Sequence, residues 1–296
     1  MSENLKTNLF LIAAMASWGL GTVLTKSSLN DFSSWALLPF QLVCSVLFLG
    51  IVLFFTSDHQ TPKKQIRSYG KVALLGVLNP GIAYALGLSG LARIPASISV
   101  VLWAVEPLMV TLMALIFIRS SVGGGIIAAV FVATIGVLFI IGRPSGHSES
   151  AGIALTLGAV LACAAYSIIL SLMKVKDESL RIVVVQQLAA SAFAVLLMLS
   201  QLSLHSFPSM RLSLRGIGEA AIAGILYYGI AFWMYVSGLR RTTVAKAGAF
   251  LTLIPVFGLV FSTLLLSEHV SGSQLFGSMI VVGAVVSVSV FERPKD

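Results

Sequence analysis

Ser89-Gly90-Leu91-Ala92-Arg93 recurs 148 residues later as Ser237-Gly238-Leu239-Arg240-Arg241. The same offset carries Gly81-Ile82-Ala83 onto Gly229-Ile230-Ala231, Pro107 onto Pro255, Gly124 onto Gly272 and Lys26 onto Lys174. That offset is half of the 296-residue chain, so one unit is written twice. Each copy holds five long apolar segments. Five is odd, so the second copy must enter a membrane from the opposite side. Inverted repeats with a site at their shared interface are the mark of secondary transporters.

Composition points the same way. The chain is 57% hydrophobic and only 10% charged, where a soluble domain carries about 25% charged residues. Windows near 8–27, 34–56, 70–91, 95–118, 121–142, 150–173, 180–200, 215–238, 243–266 and 272–291 are apolar. Each approaches the roughly 20 residues that a helix needs to cross the hydrocarbon core. They are too long for barrel strands and lack strict alternation, so helices are expected. The reading is an all-α polytopic membrane protein of ten transmembrane helices. Residues 1–143 form the first five-helix repeat and 144–296 the second, split at Gly142-Arg143-Pro144-Ser145-Gly146-His147-Ser148, a run of turn formers. The polar stretches near 57–69, 142–150 and 201–215 are too short to bury a core. An enzyme with a soluble catalytic head is thereby excluded.

The net charge of +8 sorts by side. With a cytoplasmic N-terminus, fourteen Lys and Arg fall on inside segments and five, Lys26, Arg93, Arg143, Arg211 and Arg215, on outside ones. The positive-inside rule then puts both termini in the cytoplasm. The basic balance is topology, with no nucleic acid partner implied. Cys44 and Cys163 fall inside apolar segments and read as small packed hydrophobes. No metal-ligand pattern, catalytic triad or phosphate loop is present, and no cofactor is expected. The first apolar segment lacks a small-residue cleavage site and has a counterpart in the second copy, so it reads as a helix and not as a leader.

Glu106 stands at the middle of the fourth segment. A charge there costs about 2.5–3.5 kcal/mol on insertion scales. It must face a cavity or a partner, or be protonated, because low dielectric favours the neutral acid. It is thus a candidate proton carrier or cation ligand; a neutral acid bonded to a carbonyl that Pro107 leaves free is the structural alternative. Its counterpart is Ile254, so such a site is asymmetric. Pro107 and Pro255 each lack a donor and clash with the preceding turn, which predicts matching bends and candidate hinges. Trp18 and Tyr166 are twins, as are Tyr84 and Phe232, and Trp103 lies three residues before Glu106. Trp18, Tyr84 and Trp103 sit too deep for interfacial belts. Gln41, Gln186, Gln187 and Asn79 either bind solute or join helices by hydrogen bonds. Gln41-Leu42 aligns with Gln187-Leu188. Lys26 reads as a snorkelling anchor, and Glu268 as a residue facing water.

These motifs resemble the drug/metabolite transporter superfamily, specifically its EamA-type family, over the whole chain. The marks are Ser17-Trp18-Gly19 through Lys26, Glu106-Pro107, and Leu251-Thr252-Leu253-Ile254-Pro255 through Ser267-Glu268-His269-Val270 to Gly277. The turn Ser267-Glu268 stands where the family pattern has Gly-Glu, and the first copy departs further, with Arg119-Ser120 there. The resemblance implies a multi-pass protein of the bacterial inner membrane that exports small organic solutes, such as amino acids or other metabolites, by alternating access. It implies a cavity near Trp18, Tyr84, Trp103, Glu106, Tyr166 and Trp233, and the chemistry of a deep carboxyl adds Glu106 as the candidate site of proton coupling. Its partners would be the solute, protons and membrane lipids. A passive channel or facilitator is the alternative.

Overall fold

The computed structural model of the chain describes residues 3–56, 66–118, 124–141, 147–173, 179–204, 213–239, 241, 250–251 and 253–291. Among these the chain is helical throughout. We label the helices α1 (Glu3–Ser28), α2 (Ser34–Thr56), α3 (66–91), α4 (96–118), α5 (Gly124–Ile141), α6 (His147–Leu172), α7 (Ser179–Leu204), α8 (214–239), α9 (Leu253–Leu266) and α10 (Gly272–Phe291). Six of them, α1, α2, α3, α6, α7 and α8, are long and apolar enough to cross a membrane. The rest of the expected crossings contain shorter apolar helices within the described residues, among them Ala96–Val110, Leu253–Leu266 and Gly272–Ala284. The expected linker at 142–146 and the turn between α8 and α9 lie outside the described residues, except for Arg241.

Local chemistry explains the breaks. In α4, Pro107 offers no N–H to the Trp103 carbonyl. The chain responds by tightening: Ala104 N bonds Val101 O and Val105 N bonds Leu102 O, both at 3.1 Å. The result is two pieces, Ala96–Trp103 and Glu106–Ile118. The expected bend at Pro107 is therefore present. Pro255 is the third residue of α9 and residue 252 is not described, so the matching bend lies outside the described residues.

Helix α8 widens into a π-helical turn, Ile225–Ala231, and α3 is kinked at the corresponding place, Val77–Ile82. In α3, Asn79 takes an extended backbone (φ −144°, ψ 118°), the conformation that a following proline imposes, here Pro80. In α8, Phe232 N bonds Gly229 O, and the Tyr228 carbonyl accepts instead from the Gln187 amide. Ser45 donates to Gln187, joining α2 to α7.

Packing follows the repeat. α1 packs on α8 as α6 packs on α3; α2 lies on α8 as α7 lies on α3; α9 lies on α1 as α4 lies on α6. α2 against α7, α4 against α9 and α5 against α10 are the pairs that map onto themselves. One core runs through α1, α2, α3, α6, α7 and α8. A smaller one holds Ile98, Val101 and Leu102 of α4 with Ala129 and Ala133 of α5 and Val281 of α10.

Glycine contacts correct the α2/α7 register. Gly76 abuts the Gln186 backbone and Gly224 the Gln41 backbone; Gly81 abuts Phe193 and Gly229 abuts Phe48. Both pairs equate Gln41 with Gln186, one residue earlier than the match to Gln187 that residue identity suggests.

Several helix ends gather at one face of the bundle. The Lys26 ammonium, at the end of α1, donates to the carbonyls of Leu91 and Ile94 between α3 and α4, both at 2.8 Å. Glu268, just after α9, accepts from Ala96 N and Ser97 N at the start of α4, both at 3.0 Å. Ser27 donates to Glu219 of α8 at 2.6 Å, and Asp31 accepts from Ser213 N at 3.2 Å. Hence α3 ends at this face, whereas its counterpart α8 begins there. Likewise α4 begins there and α9 ends there. Glu268 is half-buried, and its two oxygens cap a helix. Lys26 likewise caps carbonyls of its own repeat instead of reaching outward.

Candidate functional site

Aromatic rings from both halves converge between the helices. Trp103 of α4 stacks on Tyr84 of α3, with centroids 5.6 Å apart and planes at 21°. The edges of Tyr227 and Tyr228, both in the π-turn of α8, meet the Tyr84 ring at 5.3 and 5.1 Å. Trp18 of α1 packs on Tyr235 at 5.3 Å and on Phe232 at 6.3 Å. Tyr166 of α6 reaches Phe232 at 6.2 Å. These are the offset and edge-on arrangements that ring quadrupoles favour.

Glu106 lies one turn after Trp103, beyond the break in α4. Its carboxyl is within electrostatic reach of Tyr84, Cys163, Tyr166, Tyr227 and Tyr235, which come from α3, α6 and α8. Among the described residues no hydrogen bond or ion pair engages it. The break before Pro107 lets α4 carry a stacked ring and a carboxyl past the same group of tyrosines.

Trp18, Tyr84 and Tyr166 are buried and Trp103 is half-buried. Tyr166 is also oriented: its hydroxyl donates to Gln186 at 3.0 Å. Among the described residues the buried Trp18 indole N–H has no hydrogen-bond partner. Trp233 is half-buried and packs against the core that holds Trp18, Tyr84 and Tyr166. Its ring meets Phe10, which is 37% exposed on α1, at 6.4 Å. Phe232 and Tyr235 of the same helix are the ring partners of Trp18. Cys163, read as packing alone, is packed at 2% exposure and also lies within electrostatic reach of Glu106. Tyr227 and Tyr228 stand with Trp233 and Tyr235 in an aromatic-rich stretch of sequence, which gives no direction to any of the rings.

The buried amides join helices. Gln41 donates to Thr25 at 2.9 Å, and Gln187 links Ser45 to the Tyr228 carbonyl. Next to the rings lies a cavity of about 20 Å³, lined by Thr22, Thr25, Tyr84, Ser99, Trp103 and Tyr227 among others. That is room for about one water molecule, so this cavity admits no organic solute in the present conformation. The arrangement offers aromatic surface, a few hydroxyls and one carboxyl able to carry a proton.

Known proteins agree with this architecture. The sequence pattern described as the EamA-like transporter family matches residues 5–142 and 150–290. An uncharacterised transporter of Archaeoglobus fulgidus is 24% identical over 94% of this chain and 96% of its own. A probable amino-acid metabolite efflux pump of Salmonella typhimurium is 26% identical over 95% of this chain and 93% of its own. Protein PecM of Dickeya dadantii is 22% identical over 76% of each. A crystal structure superposes with a TM-score of 0.67 at 16% identity, covering 97% of this chain and 98% of the other, which shows the fold alone. With the family pattern found twice along the chain, once in each copy of the repeat, this protein is an integral membrane protein that belongs to the EamA-like transporter family.

Proposed function

We propose that the protein is a secondary transporter, working as an exporter, that moves small organic solutes such as amino acids or other metabolites by alternating access. The observation that carries the reading is the convergence of aromatic rings from both halves, with the Glu106 carboxyl, unpartnered among the described residues, within electrostatic reach of them. Trp18, Tyr84, Trp103 and Tyr166 are the cargo contacts in this reading, and Glu106 couples transport to protons. The printed name of the Salmonella relative favours amino-acid metabolites as one cargo class.

The architecture that goes with it is ten crossings in two inverted five-helix repeats, 1–143 and 144–296, with both termini cytoplasmic in a bacterial inner membrane. Support for inversion comes from the face where α3 ends and α8 begins. Support for the orientation comes from the fourteen basic residues that then lie inside. Pro107 and Pro255 serve as hinges for the rocking of one half on the other, a role favoured by the broken α4.

A thermal-shift screen of amino acids and common metabolites in detergent finds the cargo, because a ligand stabilises the folded state in proportion to its occupancy. Counterflow of the labelled hit in proteoliposomes then tests the reading. A carrier accelerates labelled uptake against unlabelled solute inside. A channel does not, and absence of counterflow for every stabilising solute refutes the transporter reading.

A further inference from the structure

The face where helix ends gather carries an interlock between the two halves, built from opposed caps. Glu268 of the second half places one oxygen on Ala96 N and the other on Ser97 N of the first half. Asp31 of the first half accepts from Ser213 N at the start of α8 in the second, and packs so close to Gly216 that a Cβ there would stand 2.4 Å from its carboxylate oxygen. Each acid thus meets the N-terminal end of a helix from the other half, where unpaired N–H groups and the helix dipole favour negative charge.

Three further features hold the interlock. Ser267 adopts a left-handed backbone, φ 52°, which turns the chain after α9 and directs Glu268 back onto α4. Lys26 binds the Leu91 and Ile94 carbonyls and lies within electrostatic reach of Glu268. Ser27 binds Glu219, which pairs with Arg215 at 2.7 Å. Thr25, Leu91 and Ser99, from the same helix ends, line the cavity that holds only about one water.

We propose that Glu268 and Asp31 are the gate residues of transport at this face, and that the site opens to this side only when both caps release. The proposal rests on the transporter reading above and on its orientation, which makes this the outer face. Most caps lie within one chain segment and serve folding alone. These two cross between halves that must separate for a solute to leave, at the face whose helix ends line the narrow cavity. The gate is therefore a pair of charge-assisted hydrogen-bond sets that break without disturbing any helix interior.

Cys163, buried in α6 within electrostatic reach of Glu106, is a natural reporter. In a Cys44→Ser background, right-side-out proteoliposomes are exposed to the membrane-impermeant thiol reagent 2-(trimethylammonium)ethyl methanethiosulfonate. Glu268→Gln and Asp31→Asn together are expected to raise the rate of Cys163 modification about tenfold or more, the population shift that follows loss of charge-assisted contacts. The same reagent trapped inside should modify Cys163 more slowly in the variant than in the parent. A general loosening would speed modification from both sides, and that result overturns the proposal. So does an unchanged rate from outside. Counterflow by the parent protein is measured in the same vesicles. Its absence condemns the transporter reading, whereas its presence with unchanged labelling condemns the gate alone.

Discussion

Gly76 lies directly beneath the backbone of Gln186: a Cβ at Gly76 would stand 2.3 Å from the Gln186 carbonyl oxygen. The relation is repeated at Gly224, where a Cβ would stand 2.5 Å from the Gln41 carbonyl oxygen. In both places the obstructing atoms are backbone, so a rotamer change brings no relief. Gly224 also adjoins the π-helical turn of α8, and Gly76 the kink of α3. Gly76→Ala and Gly224→Ala should each lower stability by about 1–3 kcal/mol, the usual cost of overpacking. Thermal unfolding in detergent reads the loss. Gly50→Ala, where nothing lies within 4 Å, serves as the control and should not lower the midpoint.

The α2–α7 seam depends on one side chain. Gln187 accepts from Ser45 and donates to the Tyr228 carbonyl that the π-turn leaves without its helical donor. Gln187→Leu keeps the volume and removes both bonds, leaving a buried hydroxyl and a buried carbonyl unsatisfied. Each orphan costs about 1–3 kcal/mol. Thermal unfolding should show a larger loss than for Gln187→Glu, which keeps the acceptor for Ser45.

The repeat was legible in the sequence because glycine, proline and aromatic positions record backbone demands that both copies share. The bend in α4 was legible for the same reason, since Pro107 cannot bond Trp103. Deep placement of Trp18, Tyr84 and Trp103 was enough to group three of the rings. The α2/α7 register was not legible: Gln186 and Gln187 are adjacent amides, and only the glycine contacts select between them. The ring partners along α8 were not legible: Phe232 and Tyr235 meet Trp18, whereas the Trp233 ring meets Phe10. The capping role of Glu268 depends on the left-handed Ser267, in a position where a side chain gave no hint of positive φ.

Glu106 separates proton coupling from solute binding. Glu106→Gln keeps the shape and hydrogen-bonding capacity of the side chain but cannot take up or release a proton. In proteoliposomes loaded with the solute identified by thermal shift, the parent protein should respond to an imposed pH gradient. The variant should retain counterflow and lose that response. If the variant remains driven by the gradient, the proton passes elsewhere and Glu106 is a binding group only.

Ser267 offers a gain instead of a loss. A non-glycine residue in the left-handed region costs about 1–2 kcal/mol, and glycine takes the same backbone without that cost, offset in part by its greater freedom in the unfolded chain. Ser267→Gly should therefore raise the thermal midpoint, with a net gain of roughly 0.5–1 kcal/mol. The backbone of the turn is unchanged, so Glu268 should still reach Ala96 and Ser97, and labelling of Cys163 from outside should stay as slow as in the parent. A Ser267→Val exchange should do the reverse on both counts, because a β-branched side chain tolerates positive φ worst. It should lower the midpoint and, by displacing Glu268, expose Cys163. If Ser267→Val lost stability while Cys163 stayed protected, the turn would matter to folding without setting the position of the cap.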